Sequence, residues 1–136
     1  MRKAILDTNI ISYFLRGNDK VVNQLSQYNQ FYDAITFSLL TYYEIKSGLL
    51  YKNASSLLNQ FEQLADESEI LPLSIATMDI ASSIYADLRR QGLLIPPIDI
   101  LIAATATAIE HNCLLVTANL RHFTIIQDLD CANWAE

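Results

Sequence analysis

Short apolar runs alternate along this chain with longer stretches in which apolar residues return every third or fourth position, and the alternation predicts the order of its elements. Residues 3 to 6 (KAIL) read as a buried strand that stops at Asp7, followed by a helix from Thr8 to about Leu15 that Gly17 and Asn18 close. Val21, Val22 and Leu25 give residues 19 to 29 a helical period, and Ala34 to Phe37 resembles a second buried strand. From about Leu40 to Tyr51 the helical period returns until Gly48 and Asn53 weaken it. Residues 54 to 67 then carry Leu57, Leu58, Phe61 and Leu64 on one face, so these two segments suit a helical hairpin. Pro72 makes Glu69 to Leu73 an edge strand or a connection. Ile75 to Gln91 is the most regular helix, with Ile80, Ile84 and Leu88 in line and Gly92 as its stop. Pro96 and Pro97 precede a helix over residues 98 to 111 that is apolar on most sides. Cys113 to Val116 is a continuous apolar strand, and Phe123 to Ile126 a weaker one.

Strands alternating with helices imply an α/β fold with a mainly parallel sheet. The 136 residues suit one domain, and a hydrophobic fraction of 51% against 18% charged residues excludes a disordered chain. Cys113 and Cys131 are read as buried free thiols rather than a disulfide framework, in keeping with a reducing compartment. The opening MRKAILDTNIISYFL starts like a secretory leader, but Asp7 and Asn9 interrupt it. The longest apolar tract, residues 100 to 109, is about half a membrane span. The expectation is a cytoplasmic protein with no membrane contact. A net charge of −6 argues against binding nucleic acid through general attraction to phosphates, so any such contact must be local and aided by cations.

Four polar side chains stand at the edges of these apolar runs: Asp7 in ILDTN, Glu44 in TYYEIKSG, Asp99 in PPIDILIAA and Asn119 in LLVTANLRHF. In open α/β sheets ligands gather beyond the carboxyl ends of the strands, and Asp7 and Asn119 each follow one. Crowded carboxylates raise one another's pKa unless a cation compensates. Oxygen donors without a His or Cys cluster suit Mg²⁺ or Mn²⁺ and argue against zinc. Such an ion polarises a phosphoryl oxygen and activates water. Each residue also has a local reading. Asp7 can cap the helix it precedes, Glu44 can close a capping box with Thr41, and Asp99 can complement a helix dipole.

Together, ILDTN at residues 5 to 9, the T-x-x-E helix with Gly48 at its end, and DILIAATATAIEHNCLLVTANLRHF at residues 99 to 123 resemble a PIN domain of the VapC type. The similarity extends over nearly the whole chain. It implies a three-layer α/β/α fold with a short parallel sheet and a metal-dependent endoribonuclease, the toxin half of a toxin–antitoxin pair, acting on structured RNA such as tRNA or rRNA. A homodimer and a VapB-like antitoxin that covers the site are implied as partners. Carried over by position, Asp7, Glu44 and Asp99 match the family's metal-holding acids. Asn119 falls where many members have a fourth acid, which leaves one metal site expected and the second open.

Thr8, Asn9 and Thr117 flank these positions and suit supporting hydrogen bonds, with local turn bonding as the alternative for Thr8. Arg121, Arg89 and Lys46 are candidates to meet RNA phosphates, with solvated charge as the ordinary alternative. His111 and His122 do not form the acid–base pair that a metal-independent ribonuclease needs, and both read as structural. Water attack leaving a 5′-phosphate and a 3′-hydroxyl is therefore expected. Asn119 and the acidic charge also fit a PIN-fold module that binds RNA or protein without chemistry. A phospho-acceptor domain is disfavoured because no Lys follows Lys52, and a dinucleotide fold because Gly17, Gly48 and Gly92 form no phosphate loop.

Overall fold

Ala4 and Leu6 pack on one side of the first strand while Ile5 packs on the other, and all three are buried. Side chains that alternate across a strand need apolar cover on both faces, so this short segment already demands helices above and below it. The computed structural model describes residues 1–107 and 112–136, and it supplies both layers. The order is β1 (Ala4–Leu6), α1 (Thr8–Leu15), α2 (Asp19–Tyr28), β2 (Thr36–Ser38), α3 (Leu39–Tyr51), α4 (Ser55–Asp66), β3 (Glu69–Leu71), α5 (Ile75–Arg90), α6 (Pro97–Thr107), β4 (Leu114–Val116), α7 (Leu120–Phe123) and β5 (Cys131–Ala132).

The strands form one parallel sheet in the order β3-β2-β1-β4-β5. Ala4, Leu6, Phe37 and Val116 pack against α1 to α4, and Ile5, Leu71 and Leu115 pack against α5, α6 and α7. The expected α/β/α layering is the layering observed. Burying a side chain the size of Ile5 or Leu115 contributes about 1.5–3 kcal/mol each, so polar replacement of either would loosen the layer of α5, α6 and α7 from the sheet.

β1 is followed by β2 on one side of it, whereas β4 returns to its other side. The strand order therefore reverses beside β1, and the carboxyl ends of β1 and β4 flank a crevice of the kind in which α/β folds bind ligands. The main chain closes this junction through Asp7 N donating to Val116 O at 2.8 Å.

The hairpin expected of the two central helices is present: Tyr42 of α3 meets Phe61 of α4 with ring centroids 5.6 Å apart, and Lys46 meets Glu62 at 3.6 Å. Gly48 does not end α3, which continues to Tyr51 and turns at Asn53 with φ 51°. β3 is the edge strand that Pro72 suggested. The strand expected at Phe123 to Ile126 is absent. Phe123 and Ile126 are both buried while Thr124 and Ile125 between them are exposed. That spacing of three belongs to a helical turn, and Thr124 N donates to Leu120 O at 2.9 Å. The last strand lies further on, where Cys131 and Ala132 pair with Leu115 and Val116. Residues 108–111, and with them His111 and the end of the helix expected to reach it, lie outside the described residues. Cys113 is buried and Cys131 half-buried, and the two form no disulfide. Among the described residues no helix is long and apolar enough to cross a membrane.

Candidate metal centre

Each layer brings one carboxylate to the crevice. Asp7 ends the central strand, Glu44 projects from the second turn of α3 on one side, and Asp99 sits in the first turn of α6 on the other. Burial pushes the Asp7 carboxyl up from 3.8 to about 6, the hydrogen bonds from Thr117 and Thr8 oppose that rise, and the fields of Asp99 and Glu44 add to it. Glu44 and Asp99, both far from Asp7 in sequence, thus lie near enough for their charges to reach it.

Asp7 is only 4% exposed, and both its oxygens are engaged. Oδ1 accepts from Thr8 N at 2.8 Å, which caps α1, and Oδ2 accepts from Thr117 Oγ1 at 2.8 Å. Capping and membership of the acidic cluster are thus properties of one side chain. Thr8 Oγ1 donates to Glu44 Oε1 at 2.5 Å and lies 3.3 Å from Thr41 Oγ1. The Thr41–Glu44 capping box does not form. α3 begins at Leu39, its cap is Ser38, whose Oγ accepts from Thr41 N at 3.1 Å, and Glu44 lies past the turn that needs capping. Asn9 Oδ1 accepts from Ala118 N at 3.1 Å and fastens α1 to the segment after β4.

Asn119 precedes α7, and its side chain meets His122 Nδ1 at 2.7 Å. The same ring nitrogen lies 2.9 Å from Asp99 Oδ2. His122, read as structural from the sequence, is therefore the residue that joins Asn119 to Asp99. The available signal was its spacing of three from Asn119, which puts two side chains on one face of a helical turn.

The basic candidates divide. Arg121 is exposed on α7 next to His122. Arg89 lies 4.9 Å from the centre of the Tyr85 ring on α5, and Lys46 is held by Tyr42 and Glu62 on the α4 side of α3. Lys46 is two residues from Glu44, which turns it to the other side of the helix. Two cations that the sequence reading passed over, Arg16 and Lys52, line the groove that opens at Thr8 and Glu44.

Among the described residues no Lys or Arg pairs with Asp7, Glu44 or Asp99, and His122 is the one basic side chain in contact with them. Facing carboxylates with that little compensation, all oxygen donors, fit a hard divalent cation. Among the described residues no three acidic, His or Cys side chains are close enough together to enclose an ion. Mg²⁺ typically takes one or two protein carboxylates and keeps its waters, so a closed cage is not required of the site.

A family model described as PIN domain matches residues 4–127. Ribonuclease VapC1 of Haemophilus influenzae (strain R2866) is 27% identical over 133 residues, which is 97% of this chain and 98% of that protein. The tRNA(fMet)-specific endonuclease VapC of Shigella flexneri is 27% identical over 138 residues, 99% and 100% of the two chains. Among solved structures, VapBC2 from Rickettsia felis bound to a DNA fragment from their promoter superposes with a TM-score of 0.87 at 27% identity, covering 96% of this chain and 98% of that one. DNA-bound VapBC from Salmonella typhimurium gives 0.86 at 25% identity, covering 98% and 99%.

Proposed function

The chain belongs to the PIN domain family, and from that premise we propose that it is a divalent-metal-dependent endoribonuclease, the toxin of a toxin–antitoxin pair. The observation that carries this reading is that Glu44 of α3 and Asp99 of α6, on opposite sides of the sheet, both lie close enough to Asp7 for their charges to act on it. VapC-named ribonucleases that match almost end to end support the same activity.

In this reading Asp7, Glu44 and Asp99 hold Mg²⁺ or Mn²⁺. The bound ion would polarise the phosphoryl oxygen and make water a stronger nucleophile. The protein's part is to hold the three acids in place. Thr117 and Thr8 N hold the two oxygens of Asp7, Thr8 Oγ1 holds Glu44, and His122 holds Asp99. Asn119 supplies an amide where a fourth acid would add charge, which supports one firmly held ion. Attack by water on phosphorus breaks the bond to the 3′ oxygen and leaves a 5′-phosphate and a 3′-hydroxyl. Arg121 is the basic residue best set to meet RNA beside Asn119. Arg89 and Lys46 reach a strand only at a distance from the acids.

A tRNA is the first substrate to try, given what the Shigella relative is named for. A VapB-like antitoxin as inhibitor is supported by the VapBC neighbours, and a homodimer and a cytoplasmic site of action complete the proposal. The test is cleavage of tRNA and rRNA with Mg²⁺ or Mn²⁺, with EDTA, and by Asp7→Asn and Asp99→Asn. Loss of cleavage in EDTA and in both variants is expected. Cleavage that persists in them, or a cyclic 2′,3′-phosphate end, would sink the assignment, and metal binding without cleavage would point instead to a silent PIN-fold binding module.

A further inference from the structure

Thr8, Ser12 and Arg16 are spaced by four on α1 and its cap, and Glu44, Gly48 and Lys52 are spaced by four on α3 and its cap. Residues four apart share a helix face, so each set forms a stripe, and the two stripes line a single groove. Thr8 and Glu44 meet at its inner end. Arg16 and Lys52 stand at its outer end, about 12 Å away for eight residues of helical rise. Midway, Gly48 leaves the groove open, since a Cβ built there would meet nothing within 4 Å.

Arg2, Lys3, Lys46 and Arg90 each pair with a carboxylate. Arg16 and Lys52 have no such partner among the described residues. Both follow the last turn of a helix, where a cation meets the negative end of the dipole, but the dipole does not require them to line the same groove. On a chain of net charge −6 that must attract a polyanion locally, two cations with no carboxylate partner among the described residues, lining the same groove as Glu44, are the complementary feature.

We propose that Arg16 and Lys52 bind a backbone phosphate of the RNA strand at a short distance along it from the bond being cut, so that the groove between α1 and α3 carries the strand away from the carboxylates. This rests on the ribonuclease reading above and adds to it two positioning residues and a path.

The test is the affinity of the full-length protein for a fluorescent, unstructured RNA oligonucleotide, measured by anisotropy across a salt series with Ca²⁺ in place of Mg²⁺, together with cleavage of the same RNA in Mg²⁺. The double variant Arg16→Gln, Lys52→Gln should raise Kd roughly tenfold and make the slope of log Kd against log salt shallower by roughly 0.7, the value for one phosphate contact on a single strand. A solely structural role for the two cations would not move that slope. The charge-keeping pair Arg16→Lys, Lys52→Arg should restore both values, and Lys20→Gln, which removes an exposed charge outside the groove, should change neither. RNA cut by the wild type but bound equally well by the double variant overturns this proposal and leaves the ribonuclease reading standing. RNA bound through these two residues but never cut overturns the ribonuclease reading alone. Unchanged RNA affinity with weakened binding of the antitoxin overturns the proposal in favour of a protein occupant.

Discussion

Thr117 donates its hydroxyl proton to Asp7 Oδ2 at 2.8 Å and accepts the N–H of Asn119 at 3.0 Å, so one buried hydroxyl joins the ends of β1 and β4 to the turn that carries His122. Thr117→Val keeps the shape and removes both bonds. It should destabilise the fold by about 1–3 kcal/mol at pH 7.5, where Asp7 is ionised and loses a donor in a buried place. The bond from Thr117 lowers the Asp7 pKa, so without it the carboxyl moves further above about 6 and the penalty should shrink at pH 4.5, where Asp7 is protonated with or without Thr117. Urea denaturation at the two pH values checks this, and an equal penalty at both would mean that Asp7 does not depend on Thr117 for its charge.

Asp7 itself should work against stability at neutral pH. Its carboxyl is raised from 3.8 to about 6 on folding, so between those values the native state holds a proton that the unfolded state has lost. Stability should therefore fall as pH rises from about 4 to about 6 and level off above, by at most about 3 kcal/mol for a rise of about two pKa units. Asp7→Asn should remove that decline and be more stable than the wild type at pH 8, as read by thermal unfolding. Millimolar Mg²⁺ should raise the wild-type Tm at pH 8, do so far less at pH 4.5, and leave Asp7→Asn nearly unmoved. A variant less stable than the wild type at pH 8 would contradict the cost of holding a buried Asp7 charged.

The layering and most of the elements were legible because each rests on local periodicity: KAIL and CLLV as buried strands, and Ile80, Ile84 and Leu88 as one face of α5. The acids were legible as positions at the ends of such runs, but not their bonding. The pairing of Thr8 with Glu44 joins α1 to α3 across 36 residues, and no pattern within either helix specifies it. His122 was set aside for a related reason, since its partner Asp99 is 23 residues away and lies on another element. The stretch after Asn119 was misread because FTII has strand composition. Burial of Phe123 and Ile126 against α6 outweighed that propensity and wound the segment into a turn.

His122 Nδ1 lies within hydrogen-bonding distance of both Asp99 Oδ2 and the Asn119 amide. Where the carboxylate oxygen accepts, the ring must carry a proton on Nδ1, and the Asn119 amide must then turn its oxygen rather than its nitrogen to the ring. Nitrogen-15 shifts of the imidazole should report the Nδ1–H tautomer in the wild type and lose that preference in Asp99→Asn. His122→Ala frees Asp99 to swing, and should weaken Mn²⁺ binding, measured by calorimetry, by roughly ten- to a hundredfold, the usual effect of removing a residue that orients a ligand. Unaltered Mn²⁺ affinity would remove His122 from the site.

Gly48 separates stability from use of the groove. It lies inside α3 at a φ that other residues adopt, and a Cβ there would meet nothing within 4 Å, so Gly48→Ala should stabilise the protein by about 0.5–1 kcal/mol through helix propensity alone. A larger side chain at the same position projects into the groove between Glu44 and Lys52. Gly48→Phe should thus retain the fold and Mn²⁺ binding yet lower kcat/KM on RNA, chiefly by raising KM, because the acids stay in place while the path beside them is narrowed. If Gly48→Phe cleaved RNA with the wild-type KM, the strand would have to leave the acidic cluster by another face, and the exposed side of α7 around Arg121 would become the route to test.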